Sequence, residues 1–536
     1  MNFLKIVVSI FLLFTLTGWL FNFSSDNSLN IAEKVRILLK KRINSTSYII
    51  KGESISSKNT LIKYYKNSNY NSIWIGSNGQ LPIANSLLSK IKESNLDGFE
   101  PSDYHLKAIE TLKIALVNFQ GLKDNPNYIS KWVDFELLLS DAYFKFASNQ
   151  YVGIIRFNKY NKGGALRLRS VNLIDSLKKA VQENKVKETL NNFSCSHSAY
   201  QSLKGSLKNF IEIKRNGGWI NLPNKLKLKK GDKNYNVLLL RKRLNVLFPK
   251  LNVTDSIFDP SLEKVLKITQ SNYGLIDDGF VYFKTIKALN VSIDLRIKQI
   301  KLNMERWRWL PRRLPQKYIF VNSAGFILNV IENDKSVLDM KIIVGKTTNN
   351  TPIFNADMTY IILNPWWEIP PSIATKEIIP KIRNDKNYLK KEHIIVLRSE
   401  TDGKISYRFR QKPGPWNALG QIKFIFPNPY NIYLHDTPSK NLFTKNVRTF
   451  SHGCIRIEKP LELATYLLQY DPYWTSENLI KTIEAKKERK IDLDIPVKVH
   501  ICYFTSWIDE ENNPNFREDI YGYDKDLELI LTRNKE

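Results

Sequence analysis

Hydrophobic positions divide the chain into a helical first part and a strand-rich second part. Between residues 24 and 217, apolar residues recur at helical spacing, for example over 83–91 and 134–146. After residue 300 the apolar runs become short and are separated by glycine and proline, which is typical of strands. The predicted strands cover residues 318–321, 326–331, 340–344 and 359–363. The pattern predicts an α+β fold with several domains, and a length of 536 residues suggests about three.

The first 23 residues contain an apolar run, residues 6–21, that follows Lys5. The run is near the lower length limit for a membrane span. A signal peptide normally ends in a small-residue cleavage pattern, but bulky Trp19 and Leu20 occupy that place. We therefore expect residues 1–23 to be a membrane anchor, with a cleaved signal peptide as the alternative. The remainder of the chain is expected outside the cytoplasm.

The strand pattern is interrupted over residues 369–407. Two prolines open this segment, a lysine-rich helical stretch covers 376–389, and 392–397 returns to strand. We interpret it as an insertion that caps an active site, because loops over a rigid sheet often select substrates. The charged end of the chain, residues 510–536, is expected to be a peripheral tail.

The chain is strongly basic, with 81 Lys and Arg against 52 Asp and Glu, a formal charge of +29. Such an excess often indicates nucleic acid or an anionic surface as the partner. The basic residues are spread along the chain, and the sequence contains no helix-turn-helix, RNP or zinc-finger pattern. We therefore expect an anionic envelope of lipid and polymer as the partner, and no nucleic acid.

Three cysteines are too few for a disulfide framework. Cys502 lies in an apolar strand pattern and is expected to be buried. Cys195 lacks a strand–turn context and is expected to be structural. In an exported protein few thiols persist without a function, so Cys454 is the candidate for chemistry.

Residues 431–460 contain the strongest chemical pattern in the chain. His435 ends an apolar strand, and 19 positions later Cys454 follows Gly453 in a Ser-His-Gly-Cys turn. Backbone N–H groups around such a turn can hold an oxyanion. A histidine on a neighbouring strand can take the proton of the thiol. The pattern indicates cysteine acyl transfer.

Two other interpretations of this stretch remain open from residue types alone. Cys454 could be a buried small apolar residue, although its polar flanks disfavour this. His435, His452 and Cys454 could instead bind zinc, but their spacing matches none of the usual zinc patterns.

The segment resembles the L,D-transpeptidase (YkuD-type) family, in which a histidine precedes a Ser/Thr-His-Gly-Cys motif. The match rests on 433–436 and 451–454, with further similarity to the large Gram-negative YcbB-like branch over 303–311, 364–366 and 410–424. The resemblance implies a β-rich catalytic domain over 300–509, with the insertion described above. It also implies that residues 24–217 are a helical scaffold domain.

The resemblance further implies a reaction between peptidoglycan stem peptides in the periplasm. Cys454 is the expected nucleophile, His435 the general base and acid, His452 an orienting residue, and Gly453 a backbone donor to the oxyanion. Arg456 is expected either to bind a substrate carboxylate or to form a structural salt bridge. Tyr433 and Trp366 are the other expected substrate-binding residues. No metal or organic cofactor is expected.

Residues 226–292 resemble a small three-helix peptidoglycan-binding repeat, with helical periodicity over 237–247 and 261–270. A bundle that only spaces the domains is the alternative. The expected partners are peptidoglycan stem peptides and glycan, the inner membrane through residues 1–23, and other cell-wall synthesis proteins. Alternative functions are an L,D-carboxypeptidase, an enzyme that attaches or releases wall proteins, and a non-catalytic wall-binding protein. The resemblance also predicts a carbapenem target.

Overall fold

A computed structural model describes residues 29–43, 49–118, 125–157, 171–249, 251–401 and 404–533. The chain divides into two compact units, the first formed by residues 1–92, 101–147 and 172–192, and the second by the remainder. The predicted membrane anchor, residues 1–23, lies outside the described residues. Within them, no helix is both long enough and apolar enough to cross a membrane.

The first unit is helical, as the apolar spacing predicts, with two additional short β-hairpins. Four aromatic side chains, Tyr64, Tyr65, Trp74 and Tyr104, are buried in it. Its helices are α1 (Ile31–Arg42), α2 (Lys58–Asn67), α3 (Pro82–Lys92), α4 (Leu106–Asn118), α5 (Pro126–Val152), α6 (Leu173–Gln182) and α7 (Val186–Phe193), and its strands are β1 (Ile49–Ile50), β2 (Glu53–Ser54), β3 (Ile75–Gly76) and β4 (Gly79–Gln80).

Buried polar groups also hold the first unit together. Glu136 on α5 accepts hydrogen bonds from the Tyr65 hydroxyl at 2.8 Å and the Ile73 N–H at 2.6 Å, and burial raises the pKa of Glu136 to about 7. His105 lies between the carboxylates of Glu53 and Asp141, at 2.9 and 2.8 Å. Burial lowers the pKa of His105, but the two carboxylate hydrogen bonds outweigh it and raise the pKa. His105 is therefore a structural link.

The second unit begins with helices, and two of them lie where periodicity predicts them in the 226–292 module. The Asp259 side chain caps the second of these by accepting from the Leu262 N–H at 2.8 Å, which satisfies an otherwise unpaired donor. The helices are α8 (Ser198–Arg215), α9 (Tyr235–Asn245), α10 (Pro260–Asn272), α11 (Phe283–Leu289) and α12 (Ile293–Trp307).

A nine-stranded sheet forms the centre of the second unit, and it contains all four strands predicted from the sequence. The order is β14-β7-β15-β13-β12-β8-β16-β5-β6, and β6 also pairs with the first half of β7, so the sheet folds back on itself. The strands are β5 (Lys317–Asn322), β6 (Ile327–Glu332), β7 (Lys335–Gly345), β8 (Phe354–Leu363), β12 (Ile422–Ile425), β13 (Leu434–His435), β14 (Thr449–Ser451), β15 (Ile455–Ile457) and β16 (Arg489–Cys502).

Alternating apolar residues of these strands build one continuous core. Helices α16 (Pro460–Leu467) and α17 (Ser476–Glu484) add Leu463 and Leu479 to it. Period-2 alternation leaves the remaining residues on the opposite face of the sheet. Cys502 and Cys195 are buried, as expected.

The insertion departs from the predicted outline in two respects. The predicted helix over 376–389 is interrupted, because α13 (Pro371–Ile373), a π-helical turn (Ala374–Ile378) and α14 (Ile379–Asn384) precede a separate α15 (Tyr388–Lys391). Its strands β10 (Ile394–Thr401) and β11 (Lys404–Gln411) join β9 (Trp367–Ile369) in a three-stranded sheet, so the strand structure extends beyond residue 407.

The prediction of a peripheral tail over residues 510–536 is wrong for much of this segment. Strands β17 (Ser506–Ile508) and β18 (Pro514–Phe516) pair, and α18 (Tyr523–Arg533) follows. Phe516 and Leu527 are fully buried. A few apolar anchors fix a segment whose average composition is charged.

Candidate active site

A row of polar side chains crosses one face of the sheet at His435. Strand β13 lies between β12 and β15, and in this register His435 is paired with Lys423 on one side and Arg456 on the other. Paired residues of neighbouring strands project from the same face, so the three side chains form a row. The adjoining Leu434 projects into the buried core.

Cys454 lies on the same face as this row. Strands β13 and β15 are parallel with Leu434 paired to Ile455, so Cys454 is opposite Tyr433, and the Ile455 N–H donates to the Tyr433 carbonyl at 3.1 Å. Cys454 is therefore a diagonal neighbour of His435. Typical strand spacings put their Cα atoms roughly 8 Å apart, which side chains of these two types can span.

Hydrogen bonds fix the turn that carries the thiol. Gly453 has φ +120°, a conformation that favours glycine. The Ser451 hydroxyl donates to the Cys454 carbonyl at 2.5 Å and accepts from the Gly453 N–H at 3.1 Å. The Cys454 thiol donates to the Asn431 carbonyl at 3.6 Å. Because the Gly453 N–H is engaged within the turn, a role in the oxyanion hole requires this bond to open.

Hydrogen bonds from Thr351 and from the C-terminal segment also support the turn. Thr351 donates through its hydroxyl to the Gly453 carbonyl at 2.8 Å and accepts from the Gly345 N–H at 3.0 Å. The Tyr521 hydroxyl donates to the Gly345 carbonyl at 2.6 Å. Residues after 509 thus brace the loop that positions the thiol.

His435 is held as a neutral imidazole. Its Nδ1 is 2.5 Å from the Asp436 carbonyl, which can only accept, so Nδ1 carries the proton and Nε2 is the basic nitrogen. Burial has the largest effect on His435. Together with the charges of Arg456 and Lys423, it outweighs the hydrogen bonds to backbone carbonyls and lowers the pKa of His435 to about 3. The side chain is therefore unprotonated at neutral pH.

The thiol of Cys454 is also neutral at rest. Burial raises its pKa above the ordinary thiol value, and this outweighs hydrogen bonds from Tyr433 and the charges of Lys423 and Arg456, which lower it. A neutral thiol beside a neutral imidazole can act only by transferring its proton during attack, which is general base catalysis. Tyr433, predicted to bind substrate, lies directly against the thiol.

His452 points toward the insertion. Its Nε2 is 2.5 Å from the Glu377 carboxylate in the π-helical turn, and both side chains are partly exposed. The predicted orienting role of His452 stays a prediction, but its contact joins the catalytic turn to the insertion. In the described part of the chain, no three or more His, Cys, Asp and Glu side chains are placed to hold a metal.

Trp366 lies at the other end of the insertion. Its backbone N–H donates to the Glu488 carboxylate at 2.9 Å, and the Arg410 guanidinium lies 4.3 Å from its ring centroid. The ring therefore packs at the junction between the main sheet and the three-stranded sheet.

Sequence reasoning did not assign Lys423 and Glu377 to the site. Lys423 stood in the sequence only as part of a family-like motif, and no spacing rule connects it to His435. Glu377 lies 75 residues before its partner His452. Only the strand register and the path of the insertion bring these residues to the site.

Comparisons with known proteins identify two domains in the chain. Residues 316–483 match the family described as the L,D-transpeptidase catalytic domain, and residues 59–207 match a family described as the scaffold domain. A curated Haemophilus influenzae protein, named provisionally as an L,D-transpeptidase, is 30% identical over 273 residues, which cover 48% of this chain and 55% of the relative. The chain thus matches about half the length of this relative.

Two solved structures also match parts of the chain. An L,D-transpeptidase from Xylanimonas cellulosilytica has 15% identity and a TM-score of 0.17, covering 52% of this chain and 99% of its own. An L,D-transpeptidase from Mycobacterium smegmatis has 10% identity and a TM-score of 0.16, covering 35% and 58%. Scores this low support no conclusion about this chain.

Proposed function

Because residues 316–483 match the L,D-transpeptidase catalytic domain, we propose that this chain belongs to that family and cross-links peptidoglycan stem peptides by cysteine acyl transfer. The observation that carries the proposal is the placement of Cys454 and the basic Nε2 of His435 on one face of two adjacent strands. That arrangement suits transfer of the thiol proton as the sulfur attacks a carbonyl.

The acylation step uses the residues of this face. The Cys454 sulfur adds to the carbonyl of the third residue of a donor tetrapeptide while His435 takes the thiol proton. Backbone N–H groups of the turn around Gly453 stabilise the oxyanion. The tetrahedral intermediate then collapses, the C–N bond breaks, and His435 returns the proton to the departing D-amino acid.

Deacylation completes the reaction. His435 takes a proton from the amine of a neighbouring stem peptide, the amine attacks the thioester, and the thiol is restored as the cross-link forms. With water as the acceptor the same site would be an L,D-carboxypeptidase. With a protein side chain it would attach or release wall proteins.

We assign substrate binding to residues around Cys454 and His435. Arg456 is suited to a substrate carboxylate, since its Nε is buried and has no hydrogen-bond partner among the described residues. Tyr433 and Trp366 provide aromatic surface beside the thiol and the insertion. His452 holds the turn against the insertion through Glu377.

We place the protein in the periplasm, anchored to the inner membrane by residues 1–23, where peptidoglycan and other cell-wall synthesis proteins are its partners. The 226–292 module exposes four aromatic side chains, a surface suited to sugar rings. They are Tyr235, Phe280, Tyr282 and Phe283. We assign this module to recruitment of the polymer, so its deletion should reduce activity on intact sacculi more than on short peptides.

Mass spectrometry of purified tetrapeptides incubated with the full chain tests the function. A cross-linked dimer lacking one terminal D-residue supports transpeptidation, whereas a tripeptide alone indicates a carboxypeptidase. Cys454→Ala and His435→Ala should both lose product, and His452→Ala should retain more. Wild-type protein that forms neither product would support the non-catalytic wall-binding alternative.

A carbapenem should acylate Cys454, because its strained lactam presents a similar carbonyl to the same sulfur. Ring opening relieves the strain, which makes reversal unfavourable. Intact-protein mass spectrometry should show one added drug mass, and peptide mapping should assign it to Cys454. Labelling of Cys195 or Cys502 with Cys454 unmodified would contradict this assignment.

A further inference from the structure

Lys423 is a half-buried cation beside the catalytic pair. It is paired with His435 across β12 and β13, and its Nζ lies 3.9 Å from the centroid of the Tyr433 ring. Burial lowers the pKa of Lys423, and this outweighs the opposing effect of the carboxylates of Glu488 and Glu368 and of any negative charge that develops on Cys454. A lysine in this position keeps its charge at a cost in solvation.

His435 has such a cation on each side. Arg456, on the other neighbouring strand, is also half-buried, and burial lowers its pKa. Neither Lys423 nor Arg456 forms a salt bridge with a carboxylate of the residues the structure describes, and the buried Arg456 Nε has no hydrogen-bond partner there. Two cations on one face without a salt-bridge partner form a site suited to an anion.

The proposed reaction supplies an anion at this place. His435 must reach the nitrogen of the departing D-amino acid, and the carboxylate carbon of that residue is only two bonds away, about 2.5 Å from the nitrogen. Any pose that lets His435 protonate the nitrogen therefore brings the terminal carboxylate close to His435. Adjacent strands are about 4.8 Å apart, so the neighbouring cations lie within reach.

We propose that Lys423 and Arg456 bind the terminal carboxylate of the donor peptide, and that Lys423 thereby determines specificity for donors with a free carboxyl terminus. This inference rests on the proposed acyl transfer. Binding also activates the base, because a carboxylate beside His435 offsets the two cations that disfavour the imidazolium ion.

This arrangement links reactivity to occupancy. Without a donor, the cations keep the imidazole a weak base and the thiol stays protonated. With a donor bound, the carboxylate stabilises the imidazolium ion that forms when sulfur attacks the carbonyl. The proton then passes to the leaving amine, and departure of the D-amino acid removes the carboxylate from the site.

Two donors that differ at one group test the inference. The full chain is assayed with a tetrapeptide and with the same tetrapeptide ending in a carboxamide, and KM and kcat are measured for each. Lys423→Met should reduce kcat/KM for the carboxylate donor at least about tenfold, the effect expected for loss of one charge-assisted hydrogen bond. The loss for the carboxamide donor should be several-fold smaller, because that donor has no carboxylate for Lys423 to bind, and the difference between the two losses reports the contact.

The chain offers a matched control in Lys490. Lys490 lies on the same row of the sheet as Lys423, because both residues pair with Ile362. Lys490 is, however, two strands farther from His435 than Lys423 is. Lys490→Met should leave both donors unchanged. Lys423→Arg should recover much of the discrimination, because it restores the charge.

The outcomes separate the inference from the function on which it rests. Equal losses on the two donors in Lys423→Met, with circular dichroism unchanged, would overturn the inference and indicate a structural lysine. If Lys423→Met does not fold, Lys423→Gln provides the same comparison. Wild-type protein that turns over neither donor refutes the proposed function itself, and wild-type protein that favours the carboxamide donor refutes only the carboxylate site.

Discussion

The neutral resting state of Cys454 and His435 predicts a characteristic pH dependence of thiol alkylation. Burial raises the pKa of Cys454 and lowers that of His435 to about 3. A thiol whose pKa lies above the ordinary value is almost entirely protonated at pH 7, and below that pKa its thiolate fraction rises about tenfold per pH unit. The alkylation rate should therefore rise roughly tenfold per pH unit between pH 5 and about pH 8.

Iodoacetamide is a suitable reagent because it is small and uncharged. The rate is measured on the full chain between pH 5 and 9, and peptide mapping counts only label on Cys454. Cys195 and Cys502 are buried and serve as internal controls for the folded state. His435→Ala should leave the rate at pH 7 within a few-fold of wild type, because the unprotonated imidazole does not stabilise a thiolate.

A thiolate–imidazolium pair would give the opposite result. The alkylation rate of wild type would then be almost constant from pH 5 to 9. Its value would be close to the one that a neutral pair reaches only above pH 9. His435→Ala would then slow alkylation at pH 7 by about thirtyfold or more, since even an ordinary thiol is only about 3% thiolate at that pH. Either observation would refute general base catalysis from a neutral pair.

Three further predictions concern residues around the site and the sheet. Burial lowers the pKa of His500 to about 4, so protonation of this side chain favours the unfolded state as the pH falls below 6.5. His500→Phe should therefore raise the free energy of unfolding at pH 5 by about 2 kcal/mol relative to wild type, with little change at pH 8. Urea denaturation at the two pH values measures this difference. Glu377→Gln should reduce kcat/KM by less than about fivefold, because a partly exposed pair with His452 contributes at most about 1 kcal/mol. Gly420→Ala should lower both thermal stability and activity, because Gly420 has φ +63° and an added Cβ would overlap the Asp436 carboxyl group that follows His435; unchanged activity would show that this loop adjusts.

Much of the fold could be predicted from the sequence, because periodicity depends on local residues. The alternation of β5 to β8 and the helical spacing of α5 and α10 each correspond to elements in the structure. The strand end at His435 and the glycine turn before Cys454 are also local features. These predictions needed no knowledge of distant contacts.

Contacts between distant segments could not be predicted in this way. Glu377 meets His452 only because the insertion folds over the catalytic turn. The C-terminal segment was misjudged because its average charge concealed Phe516 and Leu527, which are buried individually. His105 lies in no recognisable sequence motif, although Glu53 and Asp141 enclose it. In each case a partner far along the chain determines the role.

The strand register links the stability of the sheet to the chemistry of the site. Shifting β13 by one residue would move Leu434 out of the apolar core and place His435 in it, because neighbouring residues of a strand face opposite sides. It would also remove His435 from the row of Lys423 and Arg456. Core packing therefore selects the only register in which the imidazole lies between two cations and next to the thiol. The same hydrophobic free energy that closes the sheet positions the base, so substitutions of Leu434 should reduce activity and stability together.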